Sequence, residues 1–169
     1  MNDPGMLCGE DMLMKSVEDF ENRRFLAVQY DRRLRVVLDD GAYMPERAYK
    51  ADAGLDLRTP IYFMVKPGKA VKIDTGVHVA IPEGCVGLLK SKSGLNVNHG
   101  IVGEGVIDAG YTGSIVACLR NNSDEAMQFF PGDKIIQLVI VPVYYFEPTL
   151  VDSLDDTDRG GNGFGSTGK

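Results

Sequence analysis

An aspartate at the end of an apolar stretch is the most informative candidate for chemistry in this sequence. In GVIDAGYTGSI, residues 105–115, Val106 and Ile107 lead into Asp108, and Tyr111 follows within a turn. A carboxylate directly after an apolar strand can be partly buried and can then act as a general base. The tyrosine ring could pack against a sugar. The plainer alternative is an Asx turn with a tyrosine that flanks a strand.

Two further stretches carry a pair of carboxylates and a lysine with neighbouring hydroxyls, and the second of them suits a phosphate. ADAGLDL, residues 51–57, places Asp52 and Asp56 four residues apart, so in a strand both carboxylates would face the same side. LLKSKSGL ends a predicted strand in Lys92 and Ser93 followed by glycine, which are residue types that bind phosphate. The alternatives are a turn at Asp52 with a surface ion pair at Asp56, and a solvated hairpin end at the lysine.

A polar amide interrupts the most apolar stretch of the chain. PGDKIIQLVI, residues 131–140, consists of a turn and then an apolar strand that contains Gln137. A buried amide requires hydrogen-bond partners, so this side chain either satisfies nearby backbone groups or holds a water or ligand.

The glycine-rich end, RGGNGFGSTGK, carries the remaining candidates. Arg159 can bind a phosphate through two hydrogen bonds, Ser166 and Thr167 can donate to phosphate oxygens, and Phe164 could stack on a flat group. The stretch contains G-x-x-x-x-G-K, but no hydroxyl residue and helix follow Lys169, which argues against a P-loop NTPase. The alternative is a flexible linker.

Short apolar runs separated by turn residues make up the middle of the chain, residues 25–146. They predict an all-β sandwich, barrel or jelly roll with no convincing helix of three turns. SGLNVNHG, residues 93–100, is interpreted as one of the turns. The runs are FLAVQY, RRLRVVL, LDLRTPIYFMV, AVKIDTGVHVAI, CVGLLKS, GSIVACLRN and KIIQLVIVPVYYF. Residues 1–24 form an appended segment of unknown role that could contain a short helix, and residues 147–169 form a polar, Gly-rich arm.

Composition indicates a soluble cytoplasmic protein. The 169 residues suit one domain. The three cysteines are odd in number and show no paired spacing, which suggests free thiols in a reducing compartment. The net charge of −6 disfavours binding to a nucleic-acid polymer or an anionic membrane. No signal peptide is visible, and the longest apolar run is too short to cross a bilayer as a helix.

Taken in order, five of these stretches resemble the motifs of the homotrimeric dUTP diphosphatases (dUTPases). They are ADAGLDL, SKSGL, GVIDAGYTG, GDKIIQLVI and RGGNGFGSTG, and the similarity extends from about Leu34 to the C-terminus. The resemblance implies a β jelly roll, or distorted β-barrel, assembled as a homotrimer with three shared active sites and a flexible C-terminal arm. It also implies Mg²⁺-dependent hydrolysis of dUTP to dUMP and pyrophosphate, which keeps uracil out of DNA and supplies dUMP for thymidylate synthesis.

The same resemblance implies roles for three catalytic residues. Asp108 would activate the water that attacks the α-phosphate, Asp56 would hold Mg²⁺ through water, and Gln137 would position water or phosphate. The second motif of the family usually carries arginine where this chain has Lys92, and lysine cannot make the same planar two-point contact.

The remaining implied residues bind substrate. Those of the second motif contact phosphates, residues 105–107 read uracil through a hairpin backbone, and the tyrosine packs under the deoxyribose and excludes a 2′-hydroxyl. The arm clamps the triphosphate and stacks its phenylalanine on uracil. The implied substrate-binding residues are Lys92, Ser93, Gly94, Gly105, Val106, Ile107, Tyr111, Arg159, Phe164, Gly165, Ser166 and Thr167.

Two rival functions stay open at this point. A dCTP deaminase shares the implied fold, although SKSGL and GVIDAGY resemble the diphosphatases better. A regulatory binding protein is the other rival, because some phage-type members of the family also contact repressors. In a phage-encoded chain, residues 1–24 could serve a regulatory protein partner.

Overall fold

The computed structural model describes residues 33–161, and within them the chain folds into ten β-strands and one short α-helix. The predicted helix within residues 1–24 and the predicted strand FLAVQY lie outside the described residues. In chain order the elements are β1 (Arg35–Leu38), β2 (Gly54–Arg58), β3 (Phe63–Val65), β4 (Ala70–Asp74), β5 (Val77–Ala80), β6 (Cys85–Lys90), α1 (Ser93–His99), β7 (Ile101–Ile107), β8 (Val116–Asn121), β9 (Met127–Phe129) and β10 (Lys134–Pro142).

The strands form one large antiparallel sheet and two small ones. The six-stranded sheet has the order β2-β10-β6-β7-β8-β4, while β1 pairs with β5 and β3 pairs with β9. Every pairing between these strands is antiparallel. The all-β prediction is therefore confirmed.

The core lies where the apolar side chains of these sheets meet. In β8, buried and exposed residues alternate strictly, as expected of a strand with one face towards the core. Phe63 and Phe129 stack across the β3–β9 pair with ring centroids 4.8 Å apart. The largest fully buried apolar side chains are Phe129, Leu57, Leu89, Ile101, Ile115, Leu119, Ile135, Ile136 and Leu138. Each contributes about 1.5–3 kcal/mol relative to an exposed position.

The structure divides two of the predicted runs. LDLRTPIYFMV forms β2 and β3, and AVKIDTGVHVAI forms β4 and β5. The first run breaks at Pro60, which has no N–H for a sheet hydrogen bond. The second breaks at Gly76, whose φ of +65° is a left-handed conformation that favours glycine.

The interpretation of SGLNVNHG as a turn is wrong, because residues 93–99 form α1. Gly100 ends the helix with φ +66°, and its N–H donates to the Asn96 carbonyl. Leu95 packs against the core and anchors the helix. Serine, asparagine and glycine are common in turns and at helix ends alike, so local composition does not separate the two.

The expectation that Asp52 and Asp56 share one face of a strand is also wrong. Strand β2 begins at Gly54, and Asp52 lies in the preceding turn, where its carboxylate accepts the Tyr49 N–H at 2.9 Å. The turn alternative therefore describes Asp52, whereas Asp56 lies inside β2 and is buried.

No helix within residues 33–161 has the length and hydropathy needed to cross a membrane.

Candidate active site

A buried carboxylate paired with two lysines forms one candidate centre. Asp56, 6% exposed, contacts Lys92 Nζ through Oδ1 and Lys134 Nζ through Oδ2, the latter at 2.7 Å. Burial by itself raises the pKa of the Asp56 carboxyl, but the hydrogen bonds and charges of Lys134 and Lys92 outweigh burial and hold that pKa below its usual value. The alternative of a surface ion pair at Asp56 is wrong, because the Asp56 carboxylate is buried and its two lysine partners are only partly exposed.

Gln137 joins this centre from β10. It lies opposite Asp56 on β2 and opposite Lys90 on β6, so the sheet register brings it between the two strands. Its Nε2 donates to the Ser91 carbonyl at 3.1 Å. Gly54 makes room for the amide, because a Cβ there would lie 2.1 Å from Gln137 Oε1. Asp56, Lys92, Lys134 and Gln137 are called the Asp56 cluster below.

Ser91 fixes the end of β6 that carries the lysine. Its hydroxyl accepts the Gly103 N–H at 2.9 Å and donates to the Gly103 carbonyl at 3.1 Å. Lys92 precedes α1 in an extended conformation, and Ser93 and Gly94, both exposed, begin the helix. The hairpin-end alternative for this stretch is therefore replaced by a strand-to-helix junction.

Gly105, Val106 and Ile107 form the last three residues of β7. All three pair with β6 on one side. On the other side β8 pairs with β7 only at Ile101–Gly103. Within the described residues, the second edge of β7 therefore has no strand partner over residues 104–107. Such an edge presents backbone N–H and C=O groups that can bind a ligand.

The Tyr111 loop, defined as residues 108–115, follows β7. Its turn is closed by the Tyr111 N–H, which donates to the Asp108 carbonyl at 3.2 Å, so the turn does not depend on the Asp108 carboxylate. The Tyr111 hydroxyl donates to the Ser114 carbonyl at 3.0 Å, and the ring lies against Gly113, where a Cβ would collide with it. The ring is 45% exposed, and Asp108 is exposed as well.

These two groups of residues lie at opposite ends of β6. Ile107 pairs with Gly87 near the start of β6, whereas Lys92 follows Lys90 at its end. Gly87 and Lys90 are about 10 Å apart along the strand at a rise of ~3.3 Å per residue. Asp108 and the Asp56 cluster lie beyond these two residues, in opposite directions. One copy of the chain therefore does not bring all of its predicted site residues together.

The predicted residues of the arm fall into two sets. Arg159 lies in an exposed turn near the end of the described residues. Phe164, Gly165, Ser166 and Thr167 lie outside the described residues.

Lys134 is the functional candidate that sequence reasoning missed. It begins β10 three residues before Gln137, within the same GDKIIQLVI stretch, and its basic charge beside a candidate polar residue was the available signal. Its partner Asp56 is remote in sequence, so only the pairing of β10 with β2 brings the two charges together.

The family model named dUTPase matches residues 40–168. This chain belongs to the dUTPase family. The resemblance stated from the five motifs is thereby confirmed.

Two curated relatives of this chain share one name. The deoxyuridine 5′-triphosphate nucleotidohydrolase of Corynebacterium glutamicum is 41% identical over 138 residues, covering 79% of this chain and 93% of the relative. The protein of the same name from Cutibacterium acnes is 44% identical over 131 residues, covering 74% of this chain and 85% of the relative.

Solved structures of dUTPases are similar as well. A point mutant of the Staphylococcus bacteriophage 80alpha dUTPase with dUpNHpp matches with a TM-score of 0.76 and 33% identity, covering 82% of this chain and 99% of that one. A mutant dUTPase from phage phi11 of S. aureus, described as revealing the coordination of a structural Mg(II) ion, matches with a TM-score of 0.67 and 35% identity, covering 72% and 98%. The phage 80alpha enzyme is also described as controlling transfer of virulence genes by a G protein-like mechanism.

Proposed function

We propose that this chain is a dUTP diphosphatase that hydrolyses dUTP to dUMP and pyrophosphate. The observation that carries this conclusion is the Asp56 cluster, in which residues of three separate sequence motifs meet around one buried carboxylate. A triphosphate is bound mainly by positioned cations and hydrogen-bond donors, and the cluster supplies both. The names of the curated relatives support the same substrate.

The complete active site requires more than one copy of the chain, and we propose a homotrimer. The Asp56 cluster and the Tyr111 loop lie at opposite ends of β6, so a second copy must bring its Tyr111 loop to the first copy's cluster. The segment after β10 supports such an assembly, because Tyr144, Phe146, Leu150 and Leu154 are all largely exposed in the single chain. Exposed apolar side chains in this number favour burial against a partner.

Lys92 binds phosphate in this proposal while it stays paired with Asp56. An ammonium group has three N–H donors, and Asp56 accepts one of them. The others remain for phosphate oxygens, with Ser93 and Gly94 next to them. Gln137 uses one N–H on the Ser91 carbonyl, which leaves its Oε1 to accept a hydrogen bond from water.

Asp108 acts as the general base. Its carboxylate is exposed at the end of β7, and its backbone is held by the turn to Tyr111. It accepts a proton from the water that attacks the α-phosphorus, and pyrophosphate leaves from the opposite side.

Magnesium fits this donor set only through water. Within the described residues no group of three or more His, Cys, Asp or Glu side chains could hold a metal. Both Asp56 oxygens already accept from lysines, which leaves lone pairs for water molecules of a hydrated ion rather than a direct bond. Mg²⁺ commonly binds through few carboxylates plus substrate phosphates and water. When bound to the triphosphate, it neutralises charge on the phosphates.

The uracil base and the deoxyribose of dUTP bind on the Tyr111 loop side of β6, away from the Asp56 cluster. The open edge of β7 over Gly105, Val106 and Ile107 offers backbone groups to the polar edge of uracil. The Tyr111 ring, fixed by its bond to the Ser114 carbonyl, offers a flat surface under the deoxyribose and leaves no room for a 2′-hydroxyl.

The arm closes the site once dUTP is bound. Arg159, Ser166 and Thr167 bind phosphate oxygens, Gly165 allows close approach of the backbone, and Phe164 stacks on uracil. In this organisation residues 25–146 form the β domain, residues 147–169 the arm, and residues 1–24 an extension. Free thiols at Cys85 and Cys118 support a cytoplasmic location.

Pyrophosphate release tests the proposed activity. The protein is incubated with dUTP, dTTP, dCTP and UTP, each with and without Mg²⁺, with Asp108→Asn as the matched control. We expect rapid release of pyrophosphate only from dUTP and only when Mg²⁺ is present. Uracil products from dCTP would instead identify a deaminase.

A pull-down with and without residues 1–24 tests a regulatory protein partner.

A further inference from the structure

A histidine outside the proposed site joins the Tyr111 loop to the body of the domain. His78 in β5 has its Nδ1 2.8 Å from the Thr112 carbonyl oxygen and its Nε2 3.2 Å from Asp39 Oδ1. Its side chain is 27% exposed. Thr112 lies in the Tyr111 loop, one residue after Tyr111, and Asp39 lies just after β1.

Both partners of His78 are acceptors. A carbonyl oxygen has no proton to donate, and an ionised carboxylate has none either. A neutral imidazole carries one N–H and can satisfy one of these partners, whereas an imidazolium carries two and satisfies both. The geometry therefore suits the charged form of His78.

We propose that His78, as an imidazolium held by Asp39, is a positioning residue that fixes the Tyr111 loop in the shape required for deoxyribose selection. Its Nδ1–H holds the loop at Thr112, and its Nε2–H is held by Asp39. When His78 loses its proton, one of the two contacts is lost and the tip of the loop is released.

Hydrogen bonds hold both Asp39 and the far end of the Tyr111 loop in place. The Asp39 N–H donates to the Gly76 carbonyl at 2.9 Å, which holds Asp39 beside β5. The far end of the Tyr111 loop is tied down separately, since Ser114 donates to Asp74 and the Ile115 N–H donates to the Val77 carbonyl at 2.8 Å. His78 thus acts on the part of the loop nearest Tyr111.

The charges around His78 favour its protonation. Its pKa is raised above the ordinary value, first by the hydrogen bond to the Thr112 carbonyl and then by Asp39, with a smaller contribution from the charge of Asp74. Asp39 faces it from the turn after β1 and Asp74 from the end of β4. The contact is therefore complete below the ordinary histidine pKa of about 6.5 and is lost as the pH rises through the raised value.

The readout is the ratio of kcat/KM for dUTP to kcat/KM for UTP across pH. Ionisations that affect both substrates equally, including that of the general base, cancel in this ratio. Because the readout depends on Tyr111 lying against the deoxyribose, as proposed above, Tyr111→Ala is measured alongside. We expect the wild-type ratio to fall about threefold to tenfold as His78 deprotonates, the size typical of one lost hydrogen bond.

Four variants separate the contributions. His78→Asn places a permanent N–H near the position of Nδ1, so the ratio should become independent of pH. His78→Leu lacks both donors, so the ratio should be low at every pH. Asp39→Asn keeps a hydrogen-bond acceptor but loses the negative charge. The pH midpoint at which the dUTP-to-UTP ratio falls should therefore move to lower pH. His99→Gln removes the chain's other histidine, at the end of α1, and should match wild type.

An NMR titration of the His78 Cε1–H signal, assigned with the same variants, measures the midpoint without turnover. A midpoint above 6.5 that coincides with the fall of the ratio, and a flat profile in His78→Asn, support the assignment. A midpoint at or below 6.5, or a profile that persists in His78→Asn, overturns it. If Tyr111→Ala leaves the ratio unchanged, the proposed role of Tyr111 in deoxyribose selection is wrong. If Tyr111→Ala lowers the ratio but the His78 variants do not behave as expected, only the proposed role of His78 is wrong.

Discussion

The Asp56 cluster and the Tyr111 loop, at the two ends of β6, place polar groups in opposite ways. The cluster buries a carboxylate between two lysines, on strands that the sheet register holds in place. The loop exposes its carboxylate and its tyrosine ring, and its shape depends on hydrogen bonds to β4 and β5. Removing a charged group from the cluster should therefore cost stability, whereas removing the exposed carboxylate of Asp108 from the loop should cost function alone.

The difference has a physical cause. Lys134 and Lys92 compensate the buried Asp56, and removal of one partner from a buried ion pair leaves a charge without compensation. An exposed carboxylate such as Asp108 is solvated by water and has no such effect on folding. In the proposed site, the end that binds phosphate is therefore held mainly by buried charges, and the end that binds uracil and deoxyribose is held by hydrogen bonds of an exposed loop.

The strongest test of the comparison is Asp108→Asn. We expect turnover of dUTP to fall by about 10²–10⁴, the range typical for loss of a general base. The midpoint of thermal unfolding should stay that of wild type, because Asp108 is exposed. Full activity in this variant would show that another group activates water, and a lower unfolding midpoint would contradict the division between the two regions.

Asp56→Asn is expected to have the largest effect on stability. The substitution leaves Lys92 and Lys134 beside a neutral amide, which should lower the free energy of unfolding by about 3 kcal/mol, the lower end for a broken buried ion pair. The lower end applies because the two lysines keep exposed fractions of 26% and 32%. Urea unfolding measures the change, and Asp52→Asn is the matched control on a turn.

The same pair makes a prediction about pH. The pKa of Asp56 is lowered in the folded chain, so its contribution is fully present above the unfolded value of about 3.9 and is lost as the pH falls through the lowered folded value. Urea unfolding of wild type between pH 5 and pH 3 should show this loss, and Asp56→Asn should show less of it. If the free energy of unfolding depends on pH equally in wild type and in Asp56→Asn, the ion pair between Asp56 and the lysines is not formed in solution.

Gly54→Ala sharpens the comparison inside the cluster. The new Cβ would lie 2.1 Å from Gln137 Oε1, so the amide must move away from the Ser91 carbonyl. We expect the free energy of unfolding to fall by about 1–3 kcal/mol, as for overpacking of a tight site. Gly161→Ala, which meets nothing within 4 Å, is the control and should unfold like wild type.

Lys92→Arg should have the smallest effect. Arginine keeps the positive charge towards Asp56 and phosphate, and it can add a planar two-point contact. We expect kcat/KM for dUTP to change by less than roughly threefold, well under the tenfold that 1.4 kcal/mol would produce. A collapse of activity, with unchanged unfolding, would indicate that the cluster is shaped specifically around the shorter ammonium group.

Much of the fold was predictable from local sequence. Apolar runs between turn residues identified most of the strands, because alternation of side chains between two faces is a property of a single strand. Two runs broke at Pro60 and Gly76, where the backbone cannot continue a regular strand. The helix α1 was missed because its seven residues have the composition of a turn and gain their stability from packing of Leu95 on the core.

The sequence by itself determined the all-β class, the positions of most strands along the chain and the identity of the polar motifs, because each is a local pattern of residue types. Only the tertiary structure decided that Lys134 reaches Asp56, that the predicted site residues divide between the two ends of β6, and that His78 meets Thr112. Those contacts join residues far apart in the chain. They depend on strand register, which the burial of the whole core selects and no single stretch specifies.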